Sequence, residues 1–256
     1  MDLTIVIPTH NRRHFLERSV DWYRHLGLPL VVADSSRKKW KAAHPFPLLQ
    51  YLWQAGGYEN YVSKLGLALS KVKTPYVALC GDDDYFLPSG LESACRFLDE
   101  HPEYVGVQGG VSFFQVLRGK ILLWPFLFEA DLNQRDWLDR LGQTRFTLYY
   151  GVVRTQALQK VFAFFRNQKV FRRTSSAGVL DYALNVLLLR MGRVRYANFP
   201  FSLRQYSRRV MCVGSRHELL HDENLPRFYR ALIRRLGLRE GSIRARKVQT
   251  QNARDW

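Results

Sequence analysis

Three consecutive aspartates, Asp82, Asp83 and Asp84, follow the apolar run Tyr76–Cys80 and a single glycine, Gly81. Carboxylates crowded this closely repel one another unless a cation neutralises them. Mg²⁺ or Mn²⁺ takes oxygen ligands of this kind and commonly shares its shell with substrate phosphates. A divalent-metal and diphosphate site is one reading of the turn, and a solvated acidic turn is the other. Asp34 closes an earlier apolar run, just before Ser35 and Ser36. An acid in that place accepts hydrogen bonds from ribose hydroxyls or a base N–H, or simply stabilises a turn. Asp181 stands early in the apolar segment VLDYALNVLLL. A carboxylate at a cleft edge serves as a general base, while an acid in the first turns of a helix also complements the helix dipole. Arg204 offers a guanidinium that can grip a diphosphate bidentately. His217 is one further candidate metal ligand, and surface exposure is the simpler account of it.

These groups need elements that bring them together. Leu3–Pro8 reads as a buried strand, with Thr9, Asn11 and Arg12 directly after it. Asn11 is expected to cap a helix in which Leu16, Val20 and Tyr23 recur at helical spacing. Pro29–Ala33 and Leu49–Trp53 read as strands, and a helix spans about 59–72, with Lys64 on it and Leu65 and Leu69 facing inward. Tyr76–Cys80 is the strand that delivers the three aspartates. A helix follows over Ser89–His101, flanked by Pro88 and Pro102. Tyr104–Val111 and Phe113–Leu117 read as strands, with Ile121–Phe128 as a hairpin partner. Asn133–Leu141 and Thr155–Phe165 read as helices around a strand at Leu148–Val153. Val179–Met191 is a strongly apolar helix, and Val194–Leu203 is extended. Alternating strands and helices in the first half argue for a parallel sheet with crossover helices. In such sheets ligands bind beyond the carboxyl ends of the strands, where Thr9, Asp34 and Asp82 would all fall.

The chain has 256 residues, with 39 Lys and Arg against 22 Asp and Glu, a formal charge of +17. Such a field attracts nucleic acid, anionic membranes or phosphate-bearing ligands. No recognisable nucleic-acid module accompanies it, so no nucleic-acid partner is expected, although a basic nucleic-acid-binding protein is the rival class. Three scattered cysteines show neither disulfide nor zinc spacing, which suits a reduced cytoplasm. The opening MDLTIVIPTHNRR has the reverse charge order of a secretory signal. The most apolar long window, Val111–Ala130, contains Arg118 and Lys120 and is rejected as a transmembrane helix. Beyond residue 206 the chain is rich in arginine, with Arg208, Arg209, Arg216, Arg227, Arg230, Arg234 and Arg235 clustered. Residues 1–206 therefore form one expected domain and 207–256 a basic, partly helical extension. Such a cluster suits attachment to the inner face of a cell membrane or to an anionic acceptor.

Taken in order, Ile7-Pro8-Thr9-His10-Asn11-Arg12, Asp34, Lys64, Asp82–Asp84, Asp181 and Arg204 resemble a family-2 glycosyltransferase with the GT-A fold. The resemblance covers about residues 2–206. It implies a Rossmann-like, mostly parallel α/β sheet flanked by helices, a nucleotide-diphosphate sugar donor, a divalent metal, and transfer with inversion. The acceptor it implies is a carbohydrate or lipid-linked glycan, in surface polysaccharide or glycoconjugate synthesis. It puts Pro8, Thr9 and Asp34 around base and ribose, Lys64 near the nucleotide, and Asn11, Arg12, Asp83 and Arg204 among the donor-binding residues. Asp82 and Asp84 match the ends of the family's Asp-x-Asp motif, with Asp84 the more direct metal ligand. The family's usual Glu-Asp base corresponds here to Leu180-Asp181, a single carboxylate. Arg204-Gln205-Tyr206 resembles the family's Arg-x-His with tyrosine last. A catalytically inactive homologue is the remaining alternative.

Overall fold

The computed structural model describes residues 1–41, 46–57, 60–118, 120–126, 129–143, 147–172 and 177–206. Its centre is one ten-stranded sheet. The strands are β1 (Leu3–Thr9), β2 (Leu30–Asp34), β3 (Leu49–Trp53), β4 (Tyr76–Leu79), β5 (Tyr85–Phe86), β6 (Tyr104–Leu117), β7 (Lys120–Phe126), β8 (Ala130–Leu132), β9 (Val152–Arg154) and β10 (Arg193–Gln205). Their order is β3-β2-β1-β4-β9-β6-β10-β5, with β7 on β6 and β8 on β10. The first four are mutually parallel. β9 runs antiparallel to both β4 and β6, so β6 and its parallel neighbour β10 point the same way as β1. The expected mostly parallel α/β sheet is thus present.

β1 shows why two helical layers form. Leu3, Ile5 and Ile7 face one core and Val6 the other, all buried. A strand apolar on both faces has to be covered on both. One side is covered by α1 (Arg13–Arg24) and α3 (Pro88–Glu100). They contribute Leu16, Val20, Tyr23, Leu91, Ala94 and Leu98 to a core with Ile5 and Val32. The other is covered by α2 (Tyr61–Lys71), α5 (Thr155–Asn167) and α7 (Ala177–Met191), with Leu65, Leu69, Val161, Phe165, Leu184 and Leu188 against Val6, Val31 and Val77. Short helices α4 (Trp137–Gln143) and α6 (Lys169–Arg172) complete the set of described helices.

Three expectations change. Asn11 does not cap α1: the N-cap is Arg12, without a side-chain cap. Asn11 instead takes a left-handed φ of 55°. From there it accepts from the Arg37 N–H (3.0 Å) through Oδ1, and its own N–H donates to Ser36 Oγ (2.7 Å). Asparagine tolerates that backbone region, and the loop after β2 supplies the partners. The two strands expected over 104–117 are one, because Ser112 continues the ladder to both β7 and β10. Leu148–Tyr150 is a 3₁₀ turn and only Val152–Arg154 is strand. The strands β5 and β8, two and three residues long, were too short to show a period.

Candidate active site

Register brings the candidates to one edge. Thr9 pairs with Asp34 at the ends of β1 and β2, and β4 ends beside them and leads into the aspartates. Gly81 to Asp84 form a tight turn in which the Asp84 N–H donates to the Gly81 carbonyl (3.2 Å). A Cβ on Gly81 would lie 2.9 Å from Asp84 Oδ2 and 3.2 Å from Asp83 Oδ1, so glycine keeps room for the carboxylates to turn inward.

All three carboxylates are buried, each with its own arrangement. Asp82 accepts from Thr9 Oγ1 (2.6 Å) on Oδ2 and pairs with Arg12 Nη1 (2.8 Å) on Oδ1. Its main-chain carbonyl accepts from Ser19 Oγ (2.6 Å). Arg12 Nη2 also donates to Asp83 Oδ2 (2.5 Å). Asp84 faces away from this pair. Its Oδ1 accepts from the Gln205 N–H (2.9 Å), its Oδ2 lies 3.8 Å from Arg204 Nε, and Tyr150 hydrogen-bonds to it. Burial pushes the Asp82 carboxyl up to about 6, against the opposing pull of Arg12 and Thr9. Burial likewise raises Asp84, and Arg204 offsets part of that rise.

Arg204 is the hub of the second cluster. Its guanidinium carbon stands 3.9 Å from the centroid of the Tyr150 ring. Burial alone would lower its pKa, but Tyr150, Asp84 and Asp181 outweigh burial and raise it. Asp181, on α7, is largely enclosed by protein yet keeps some exposed surface. Burial raises its carboxyl to about 7, with Arg204 pulling the other way. A carboxylate with a pKa near neutrality is what proton abstraction at physiological pH requires. Asp181 and Asp84, far apart in sequence, thus act on one guanidinium.

The ends of β1 and β2 are built differently. Asp34 is buried, accepting from the Ser36 N–H (2.7 Å) and from Tyr51 Oη (2.6 Å). The turn reading of Asp34 is therefore realised. Asp34 also walls a cavity of about 180 Å³ with Tyr51, Trp53, Gln54, Lys64 and Leu67. Lys64 is buried, not a solvated helix lysine. Its Nζ donates to the Thr9 carbonyl (2.8 Å) and Ser35 Oγ (3.0 Å), tying the ends of β1 and β2 together. Burial lowers its pKa to about 8, while Asp34 and Asp82 pull it back up. Pro8, one residue before Thr9, pairs with Ala33 and holds the strand end in register.

Sequence reasoning missed Tyr150, Tyr51, Ser19 and Gln205. Each reaches the site by tertiary contact from an unremarkable local context. His217 and the arginines beyond 206 lie outside the described residues. Among those residues no trio of His, Cys, Asp or Glu converges to hold a metal. A groove of about 1050 Å³ is lined by residues that include Thr74, Pro75, Glu103, Tyr104 and Gly192. Those residues sit at the amino ends of β4, β6 and β10, away from the acidic turn.

Comparison with known proteins bears on the fold and the family. Among solved structures, TarS of S. aureus superposes with a TM-score of 0.59 at 14% identity. That match covers 96% of this chain and 41% of TarS, so the chain spans about two fifths of that protein. TarS 1–349 in complex with UDP-GlcNAc gives 0.59 at 12% identity, covering 96% of this chain and 69% of that one. The same fragment with UDP gives 0.52 at 14%, covering 92% and 71%. At these identities the likeness concerns the fold. No curated protein sequence matches the chain significantly. The model of glycosyl transferase family 2 matches residues 4–165. That span holds β1, the Asp34 strand end, Lys64 and the acidic turn, and the chain belongs to glycosyl transferase family 2, with the GT-A fold.

Proposed function

We propose that the protein transfers a sugar, with inversion, from a nucleotide-diphosphate sugar to an acceptor hydroxyl, with Asp181 as the general base. The observation that carries this reading is the Arg204 guanidinium, 3.8 Å from Asp84 and within electrostatic reach of Asp181 as well. A leaving diphosphate beside Asp84 and an acceptor beside Asp181 would place donor and acceptor within one cluster. UDP-GlcNAc bound by TarS 1–349 supports a uridine diphosphate donor.

The residues divide the chemistry. Asp34 and the cavity beside it receive the base and ribose. Lys64 orders the strand ends that bear Thr9 and Ser35. Asp181 takes the proton of the attacking hydroxyl, which its near-neutral pKa permits. As the anomeric bond breaks, Arg204 and Arg12 offer fixed positive charge to the departing diphosphate. The donor set suits Mg²⁺ or Mn²⁺, since carboxylate oxygen is a hard ligand and such ions complete their shell with phosphate. Asp84 would hold the ion with Asp82 beside it; each already meets protein donors, Gln205 and Tyr150 for Asp84 and Thr9 and Arg12 for Asp82, which an ion would share or displace. The ion would neutralise charge on the leaving group.

The acceptor we infer is a glycan, free or lipid-linked, of a surface polysaccharide or glycoconjugate. The work is placed on the cytoplasmic side, where Cys80 and Cys95, both free and buried, stay reduced. The basic residues 207–256 would hold the enzyme at the inner face of the membrane. Among the described residues no helix is long and apolar enough to cross one.

The test is a panel of nucleotide sugars, beginning with UDP-GlcNAc, assayed for donor turnover with Mn²⁺ and with chelator. Thermal shift by the matching nucleotide diphosphate is read alongside. Metal-dependent turnover with a nucleotide-induced stabilisation is expected. Salt-dependent nucleic-acid binding with no response to any nucleotide would overturn the reading.

A further inference from the structure

From Val116 to Trp124 the described part of the window that is most apolar in the sequence is neither a membrane span nor core. It forms the β6–β7 hairpin, in register from Val111↔Phe126 to Leu117↔Lys120. Pleat alternation puts Val116, Ile121 and Leu123 on one face and Leu117, Leu122 and Trp124 on the other. The first face is 52%, 71% and 58% exposed; the second is 47%, 47% and 38% exposed. Soluble surfaces seldom expose large aliphatics in so contiguous a group, and such patches mark interaction sites. Among the described residues β6 is the strand that pairs with β7.

We propose that this hairpin lies in the interface of an anionic lipid surface. Charge complementarity selects that occupant. From Tyr104 to Phe128 the chain contains no acidic residue, and the two charges in that stretch, Arg118 and Lys120, flank the turn. Cations beside exposed aliphatics are the composition of elements that rest among phosphate headgroups. The arrangement along the hairpin agrees. At its root Trp124 stacks near Phe113 (6.4 Å between ring centroids) and meets Tyr206 edge-on (5.5 Å). Amphipathic aromatics of this kind favour the membrane–water boundary. Cations at the far end oppose tip-first burial, so the ribbon lies along the surface with Val116, Ile121 and Leu123 in the acyl boundary. Arg118 and Lys120 then reach phosphates.

The placement bears on the reaction but does not rest on it. Phe114 of β6 contacts Tyr85, the residue after Asp84, at 6.0 Å between ring centroids. A membrane held at the hairpin would lie near the acidic turn.

Full-length protein is sedimented with phosphatidylcholine vesicles with and without about one-third phosphatidylglycerol, at low and high salt. Retention on the anionic vesicles, part of which survives high salt, is expected, because apolar contact is not screened. The double variant Ile121→Asp/Leu123→Asp should bind roughly tenfold more weakly. Arg118→Gln/Lys120→Gln should weaken binding to the anionic vesicles alone. If the aspartates impair folding, Ile121→Ser/Leu123→Ser gives the same reading. Absence of retention, or equal retention of the apolar variants, overturns the proposal. So does a variant that turns a dimer into a monomer with vesicle binding intact, which would make the occupant a second copy. A melting temperature lowered by many degrees in the serine variant would show instead that the chain itself covers the hairpin. Donor turnover in solution by both variants should equal that of the native chain.

Discussion

The two halves of the site handle polarity in opposite ways. At the ends of β1, β2 and β4, the chain itself answers its buried polar groups. Lys64 is held by Thr9 and Ser35, Asp34 by Ser36 and Tyr51, and Asp82 by Thr9 and Arg12. At the end of β10 and the start of α7, by contrast, Asp181 is desolvated with Arg204 as its counterweight. Burial raises both Asp82, to about 6 against Arg12 and Thr9, and Asp181, to about 7 against Arg204 alone, so the less compensated carboxyl rises further. The first half is tied together by its own hydrogen bonds; the second leaves Asp181 with a carboxyl that burial raises.

Asp181→Asn tests the contrast most severely. It should lower kcat by about 10²–10⁴-fold while leaving nucleotide binding intact. The native enzyme should gain kcat/KM as pH rises through about 7, the value to which burial brings Asp181. Stability should move the other way. With a folded pKa of about 7 against an ordinary 3.8, the folded chain holds that proton more tightly and loses stability as pH rises from about 4 to 7. The asparagine variant escapes this loss, gaining at most about 4 kcal/mol at pH 8 and nothing at pH 3. A variant no more stable at pH 8 would show that Asp181 is well compensated, and the contrast would fail.

Asp84→Asn sharpens it from the donor side. A drop of about 10²–10³-fold in turnover is expected, with loss of any metal-dependent tightening of nucleotide binding, read by calorimetry. Unchanged metal response would move the ion elsewhere.

Lys64→Met probes the first half. It should destabilise by about 1–3 kcal/mol in urea unfolding, because the buried Thr9 carbonyl and Ser35 hydroxyl lose their donor. In the native chain the lowered pKa of Lys64, about 8 against 10.5, predicts a local gain in stability as pH rises between those values. A variant as stable as the native chain would show that the strand ends need no tie. Tyr51→Phe should have the smallest effect, about 1 kcal/mol in stability and a few-fold in nucleotide affinity, since Asp34 keeps its bond to the Ser36 N–H. A large loss would mean that Tyr51 itself meets the ligand.

Legibility follows the same division. β1, β2, β3, α2, β4 and α3 lie close to where apolar runs and breakers place them; β1, β2 and β4 are clearest, because a parallel strand buried on both faces is written as a continuous apolar run. The second half is less legible. Tyr150 sits in a 3₁₀ turn read as strand, and β5 and β8 owe their existence to partners distant in sequence. Arg12 and Lys64 were recognised as cations near the edge, but their grip on Asp82, Asp83, Thr9 and Ser35 is a matter of packing. Asn11 illustrates the limit: a cap by type, it became a left-handed hinge because Ser36 and Arg37 offered better partners.

The amino-acid sequence by itself determined the α/β class, the strand ends that carry acids, and the identity of the isolated carboxylate on α7. Local pattern suffices there, since period and polarity are properties of neighbouring residues. Tertiary structure alone decided which charges meet. It turned Lys64 inward, divided Asp82 from Asp84 between two arginines, and set Asp84 and Asp181 about Arg204. It also made an apolar window into an exposed hairpin. Pairing and desolvation depend on what packs from elsewhere in the chain, and no stretch of sequence contains its own surroundings.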